Sequence, residues 1–273
     1  MSEPGLVAHR AGQGLIVGEP RGGASGPTSD RVREVCALLA HAGFEALATT
    51  SAGFAWSRGR DDYGMTRDEL VAHVADLTAA VDVPLNVDSE RCFAEDLDGV
   101  AETVRLLHDA GAAGCSIEDW NGAAGAIDPI DVAADRVAAA ATAAHRDSDR
   151  LLLTARCENL LHGVTDLDDT IARLVAYRDA GADCVYAPGL SSVEQIRTVV
   201  DAVGVPVNVL ALAEGPTVGQ IGAAGARRVS VGGSLASTAY GALMVAAREL
   251  LATGTSAYRA TRLQPGDRQA LAD

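Results

Sequence analysis

The sequence predicts an α/β fold, a (β/α)8 barrel of the TIM type, and three observations lead to this prediction. Eight short β-rich runs alternate with eight amphipathic, alanine-rich helical stretches, which is the element count of such a barrel. The 273 residues are enough for one barrel, and 48% of them are apolar, which allows a large core. An open doubly wound sheet is the rival fold, but no GxGxxG motif follows the first predicted strand.

Each strand is predicted from a short apolar run that ends in a polar or glycine-containing turn. In chain order the predicted strands are residues 15–18, 46–51, 84–90, 114–119, 151–158, 184–188, 206–210 and 228–232. Residues 20–27 (PRGGASGP) are predicted to form a flexible loop after the first strand.

Each helix is predicted from apolar residues that recur at helical spacing between those strands. The predicted helices are residues 29–41, 67–80, 98–109, 129–145, 167–179, 193–203, 218–224 and 234–251. Asp128 and Asp166 are predicted N-caps, with Pro129 in a first helical turn. Four helices close on an Ala-Gly pair, where glycine can take the left-handed conformation that ends a helix: Gly43, Gly111, Gly181 and Gly225. We expect one barrel over residues 1–252 and a tail over 253–273.

The charge of the chain restricts its partners. A net charge of −15 argues against nucleic acid and against an anionic membrane surface, because both require a basic face. No apolar run reaches the roughly 20 residues that span a bilayer. Residues 1–5 lack the basic start and apolar core of a signal peptide, so the expected compartment is the cytoplasm.

The basic residues and the cysteines restrict the chemistry. All 22 basic residues are arginine, which argues against Schiff-base aldolase chemistry, lysine-anchored pyridoxal phosphate and a P-loop lysine. An enolate or carbanion would therefore need a metal or hydrogen bonds. The five cysteines show no CxxC or Cys/His spacing, and we predict reduced, mostly buried thiols.

Acidic side chains collect where adjacent predicted strands end. Asp88 and Glu90 are two residues apart, so on a strand both would point to one face, and Glu118 ends the next strand. Three converging carboxylates would repel one another, and a cation with oxygen ligands such as Mg²⁺ removes that repulsion. The alternative is that these are solvated carboxylates at loop starts.

Arg156 follows an apolar run on the strand next to Glu118. A guanidinium there is suited to a bidentate grip on a substrate carboxylate or phosphonate. Alternatively it forms an ion pair with Glu118 or Glu158. Ser51 and the backbone near Gly53 could donate hydrogen bonds to an anion, or could form a plain turn.

Five motifs in order resemble the isocitrate lyase/phosphoenolpyruvate mutase superfamily, over roughly residues 29–251. They are residues 48–53 (ATTSAG), 87–90 (VDSE), 111–119 (GAAGCSIED), 155–159 (ARCEN) and 231–233 (VGG).

The resemblance implies a Mg²⁺-dependent barrel, with Mn²⁺ as a possible substitute, that makes or breaks C–C or P–C bonds beside a carboxylate. It also implies a homo-oligomer, a dimer of dimers whose last helix is exchanged between subunits. We assign Asp88, Glu90 and Glu118 to the metal. The assigned catalytic residues are Arg156, Glu118 and Asp62, and the assigned substrate-binding residues are Ser51, Ala52, Gly53, Arg156, His162 and Asn208.

Departures from the family pattern affect the expected substrate. The lyases carry a gating loop with Lys-Lys-Cys-Gly-His or a close variant after the fourth strand, whereas residues 120–125 here read WNGAAG. Glu90 replaces an aspartate, and residues 92–94 (CFA) replace Gly-Tyr-Gly. Isocitrate cleavage by the lyases' thiol route is therefore not expected.

The leading hypothesis is a lyase or decarboxylase for a small 2-oxo or 2-hydroxy di- or tricarboxylate, acting through a metal-stabilised enolate. A phosphonomutase or phosphonopyruvate hydrolase is the alternative enzyme, and a metabolite-binding protein without turnover is the non-enzymatic one. A barrel that binds a phosphate-sugar at residues 232–234 is a further alternative.

Overall fold

The computed structural model of the protein describes residues 12–16, 30–146 and 148–269. Its strands are β1 Gly12–Ile16, β2 Leu47–Ala48, β3 Leu85–Asp88, β4 Gly114–Glu118, β5 Trp120–Asn121, β6 Ala126–Ile127, β7 Leu152–Arg156, β8 Cys184–Tyr186, β9 Val207–Leu210 and β10 Arg228–Ser230. Residues 19–27, which include the predicted loop, lie outside the described residues.

The helices follow the strands in regular alternation. They are α1 Asp30–His41, α2 Ser51–Ser57, α3 Arg67–Thr78, α4 Leu97–Asp109, α5 Ile130–Ala144, α6 Leu167–Asp179, α7 Val193–Val203, α8 Val218–Ala223, α9 Ser234–Thr253 and α10 Pro265–Gln269, with a 3-10 helix at Ala257–Thr261.

Eight of the strands form one parallel, curled sheet in the order β1, β2, β3, β4, β7, β8, β9 and β10. The sheet closes into a barrel because β1 pairs with both β2 and β10. This is the α/β arrangement predicted from the alternation of elements. β5 and β6 form a separate antiparallel hairpin after β4.

Several strands end earlier than predicted, and two cases have a clear physical reason. The second strand ends at Ala48 because helix α2 begins at Ser51. The third ends at Asp88, and Glu90 lies beyond it with a φ of 49°, outside the extended region. The shared strand face expected for Asp88 and Glu90 is therefore wrong.

The predicted helix ends are mostly confirmed. Gly43, Gly111, Gly181 and Gly225 all have a φ between 89° and 106°. The Asp166 side chain accepts hydrogen bonds from the backbone of Asp168 and Asp169, as an N-cap does. The Asp128 prediction is wrong, because Pro129 is the N-cap of α5 and the Asp128 carboxylate binds Arg91 instead.

The core consists mainly of buried Val, Leu and Ala side chains between the sheet and its surrounding helices. All five cysteines are free thiols, and four of them are buried: Cys36, Cys92, Cys115 and Cys157. Among the described helices, none combines the length and apolar character needed to cross a bilayer.

Candidate active site

Arg156 lies at the carboxyl end of β7, with a carboxylate near each of its three guanidinium nitrogens. Its Nε lies 2.8 Å from Glu158 Oε1 and its Nη1 lies 3.5 Å from Asp88 Oδ2. Its Nη2 pairs with Glu118 Oε2. The side chains of Glu118 and Glu158 are almost completely buried. One guanidinium thus organises carboxylates from three strand ends.

Asp88 is held by its neighbours on both sides. Its backbone N–H donates to Thr49 Oγ1 at 2.9 Å, and its Oδ2 accepts the N–H of Ser51 at 3.1 Å. Ser116 Oγ lies 3.5 Å from Oδ1. Within the described residues, the N-cap Thr50 makes no side-chain hydrogen bond to the first turn of α2, so the N–H groups of Ala52 and Gly53 are suited to bind another acceptor.

Glu90 begins a tight turn after β3. Three side-chain-bearing residues in this turn have a positive φ: Glu90 at 49°, Cys92 at 62° and Phe93 at 55°. Such a backbone persists only where surrounding contacts hold it. The Glu90 N–H lies 3.4 Å from Asp88 Oδ1, and its carbonyl accepts the N–H of Glu118 at 3.0 Å.

Arg136, buried on α5, supplies much of that support. It donates to the carbonyl oxygens of Arg91, Ala94 and Glu95 at 2.6, 2.7 and 3.1 Å respectively. Arg91 in turn pairs with Asp128 at 2.7 Å. The turn that places Glu90 is therefore anchored to the helix behind it.

The segment between α2 and α3 (residues 58–66) brings two functional groups over the site. The Tyr63 hydroxyl donates to Glu118 Oε1 at 2.7 Å, and the Tyr63 N–H donates to Asp62 Oδ1 at 3.1 Å. The Ser51 side chain is hydrogen-bonded to Asp62. A capping box between Thr66 and Glu69 begins α3 directly after this segment.

Asp119 fixes the backbone on which Glu158 lies. Its Oδ1 accepts the Glu158 N–H at 2.8 Å, and its Oδ2 accepts the Tyr177 hydroxyl at 2.6 Å. Arg173 Nη1 approaches the same oxygen at 3.3 Å. Asp119 is thus a buried support behind the site.

His162 and Asn208 lie at the margins of the cluster. The His162 ring stacks on Trp120 with centroids 3.5 Å apart, and its Nε2 lies 3.6 Å from Glu158 Oε2. Asn208 Nδ2 donates to Ser230 Oγ at 3.0 Å. Among the described residues, no group donates a hydrogen bond to the buried Asn208 Oδ1.

Negative charge exceeds positive charge in this cluster. Burial, reinforced by Asp88 and Asp62, raises the pKa of Glu90 to about 8. Burial also raises the pKa values of Asp62 and Glu158. Burial alone would lower the pKa of Arg156, but Asp88 and Glu158 outweigh it and raise that pKa. The cluster comprises one guanidinium and five carboxyl groups: Asp62, Asp88, Glu90, Glu118 and Glu158.

The carboxylates suit a hard divalent cation chemically, although they do not form a ready-made cage. In the part of the chain that the structure describes, no three His, Cys, Asp or Glu side chains are arranged to hold a metal ion. Asp88, Glu90 and Glu118 therefore do not surround a common point as expected. Arg156 instead provides the positive charge between Asp88 and Glu118. Mg²⁺ commonly uses only one or two carboxylates and keeps several waters, so this donor set fits it.

Sequence reasoning found the carboxylates and Arg156 but missed the aromatic groups around them. Tyr63 follows Asp62 directly, and Trp120 comes two residues after Glu118, so both are adjacent to predicted site residues. Neither residue type indicates a site by itself. Their contacts with Glu118 and His162 depend on loop conformations that the local sequence does not specify.

Comparison with known proteins gives matches to this chain in both sequence and fold. The sequence model of the family described as phosphoenolpyruvate phosphomutase matches residues 35–251. A Burkholderia cenocepacia protein with a general lyase/mutase assignment is 43% identical, and its crystal structure superposes with a TM-score of 0.84. That match covers 97% of this chain and 94% of the other.

Two relatives have more specific names. The oxaloacetate decarboxylase of Paraburkholderia xenovorans is 36% identical over 179 residues, 62% of this chain and 58% of that protein. The 2-methylisocitrate lyase of Escherichia coli is 35% identical over 181 residues, 63% of this chain and 60% of that protein. The matched region therefore spans less than two thirds of either relative.

Proposed function

The chain belongs to the isocitrate lyase/phosphoenolpyruvate mutase superfamily, and on that premise we propose that it is a Mg²⁺-dependent lyase or decarboxylase. Its substrate would be a small 2-oxo or 2-hydroxy acid with at least two carboxylates. The observation that best supports this proposal is the cluster of Asp88, Glu118 and Glu158 around the buried guanidinium of Arg156, with Asp62 and Glu90 near them.

Asp88, Glu90 and Glu118 would hold the cation, directly or through water, with Asp62 above them. Bound Mg²⁺ would supply a Lewis acid that stabilises negative charge developing on the substrate's 2-oxo oxygen. Asp88 and Glu118 would then exchange Arg156 for the cation. This exchange would free Nη1 and Nη2 of Arg156 for a substrate carboxylate, which a guanidinium binds in a bidentate manner.

The remaining assigned residues would orient the substrate. Ala52 and Gly53 would donate backbone N–H groups to a carboxylate, while Ser51 keeps Asp88 and Asp62 in place. Asn208 Oδ1 would accept a substrate or water proton. In a decarboxylation, the electrons of the breaking C–C bond would pass to the 2-oxo oxygen and CO₂ would leave. A proton from water would then add to the carbon that carried the lost carboxylate and complete the product.

Helix α9 supports a homo-oligomeric assembly in which this helix packs on a neighbouring subunit. None of its 20 residues is buried in the single chain. Large apolar side chains are exposed along it, with Leu251 at 88% and Leu243 at 64% of their full accessibility. Exposed apolar side chains gathered on one helix are typical of an interaction surface.

P–C bond chemistry is the second candidate, favoured by the match to the phosphomutase family. The test is a screen in which the protein, with Mg²⁺ or with EDTA, is given oxaloacetate, other 2-oxo and 2-hydroxy acids, and phosphonopyruvate. Pyruvate and CO₂ from oxaloacetate would support the proposal. Turnover of phosphonopyruvate alone would favour the alternative, and no Mg²⁺-dependent turnover of any compound would indicate a binding protein.

A further inference from the structure

Each of the two glutamates beside Arg156 has the ring of another residue next to its carboxylate. The Tyr63 hydroxyl donates to Glu118 Oε1 at 2.7 Å, and His162 Nε2 lies 3.6 Å from Glu158 Oε2. Both rings come from loops above the sheet, one between α2 and α3 and the other after β7.

The hairpin of β5 and β6 stacks on one of these rings and passes close to the other. Trp120 stacks on His162 with an angle of 10° between the ring planes and a centroid distance of 3.5 Å. At Gly122, a Cβ atom would lie 3.6 Å from the Tyr63 ring, so the backbone of the hairpin turn runs along that ring. One short hairpin therefore contacts the groups that cover Glu118 and Glu158.

This hairpin is fixed at its base. It leaves β4 after a single residue, and the Asp128 N–H donates to the Asp119 carbonyl at 2.7 Å where it closes. Within its turn, Asn121 Oδ1 accepts the Ala124 N–H at 3.0 Å. Because its strands have only two residues each, the hairpin can cover only a small part of the site.

We propose that Trp120 is a positioning residue for specificity: through the hairpin it holds His162 and Tyr63 as a roof that admits unbranched four-carbon 2-oxo dicarboxylates and excludes branched or longer ones. This inference rests on the proposed function and names the substrate class for the same site. In this proposal, a substituent on the carbon next to the 2-oxo carbon would have to displace the Tyr63 or the His162 ring.

The kinetic test compares oxaloacetate with its 3-methyl derivative in Mg²⁺. The wild type is expected to prefer oxaloacetate in kcat/KM by at least about tenfold, which is the scale on which one methyl group is discriminated. Trp120→Ala should reduce that preference severalfold, and Trp120→Phe, which keeps a stacking ring, should retain most of it. Trp56→Ala, a change at the exposed second tryptophan, is the matched control and should leave the preference unaltered.

A binding test needs no turnover and separates this inference from the proposed reaction. Malonate and 2,2-dimethylmalonate carry the same two carboxylates and differ only in bulk, and calorimetry in Mg²⁺ gives their Kd values. The wild type and Trp56→Ala should bind malonate more tightly than 2,2-dimethylmalonate, and Trp120→Ala should not. This result would support the role of Trp120 in selectivity even if the activity screen fails. Equal affinities, binding of neither probe, or a folded Trp120→Ala protein with unchanged selectivity would overturn it.

Discussion

At the scale of single residues, the proposed function depends on the partners of Arg156. The sequence analysis singled out this arginine and left two roles open: binding of a substrate anion, or an ion pair with a neighbouring glutamate. The structure shows the ion pairs, with Asp88, Glu118 and Glu158 around one guanidinium. Buried charges of this kind are costly to separate, because removing one partner leaves the others without compensation. The same group can therefore stabilise the apo site and later receive an anion.

Arg156→Gln tests this double role. We expect the variant to lose roughly 3 kcal/mol or more of unfolding free energy in metal-free buffer, because three carboxylates lose their counter-charge. Mg²⁺ should raise its Tm more than that of the wild type, since the cation no longer competes with the guanidinium. Differential scanning calorimetry with and without Mg²⁺ gives both quantities.

Arg105→Gln is the matched control, because Arg105 pairs with Glu102 on the surface of α4, away from the charge cluster. It should change stability by less than about 1 kcal/mol. If Arg156→Gln behaved like this control in both buffers, Arg156 would not be the centre of the charge cluster.

At the scale of elements, the regular parts of the chain were predictable and the turns around the site were not. Apolar periodicity located the eight strands and the long helices, and the Ala-Gly pairs marked four helix ends, because these features depend on local chemistry. The prediction that Glu90 lies on the third strand was wrong because the sequence pattern of that strand continues through it. The positive φ of Glu90 belongs to a turn whose next residues are bound by Arg136, which lies 46 positions later in the chain.

Arg136→Met tests whether that helix-to-turn anchor matters. Three carbonyl oxygens would lose a donor, and a buried group left unpaired costs about 1–3 kcal/mol. We expect a loss of several kcal/mol in urea unfolding and a higher Mg²⁺ concentration for half-saturation, because Glu90 begins the turn. Arg197→Met, on the exposed side of α7, should change neither quantity. Wild-type values for Arg136→Met would contradict the anchor.

At the scale of the whole molecule, the sequence indicated where the acidic side chains gather but not which apolar surface stays exposed. A chain with 37 acidic and 22 basic residues gathers five of its carboxylates at one end of the barrel, as the strand-end pattern suggested. The exposure of α9 could not be predicted from sequence. An apolar helix has the same sequence pattern whether it packs on its own chain or on another one.

The exposed face of α9 predicts that the protein assembles in solution. Light scattering after size exclusion should give a mass that is a multiple of the 27.9 kDa chain. Leu243→Glu combined with Val245→Glu should lower that mass, because charges replace two exposed apolar side chains. Leu152→Glu, also exposed but on β7, is the control and should leave the mass unaltered. A wild-type protein that runs as a 27.9 kDa monomer would contradict the interface.

The most direct test of the central claim is Mg²⁺-dependent release of pyruvate from oxaloacetate by the wild type and by Glu118→Gln, after subtraction of the protein-free reaction with Mg²⁺. Glutamine keeps the shape of Glu118 and can still accept from Tyr63, but it removes the charge that the cation needs. We predict at least about a tenfold fall in kcat/KM with the fold retained, and no fall for Glu102→Gln on the surface of α4. A Glu118→Gln enzyme as active as the wild type would contradict a metal-dependent site at this end of the barrel.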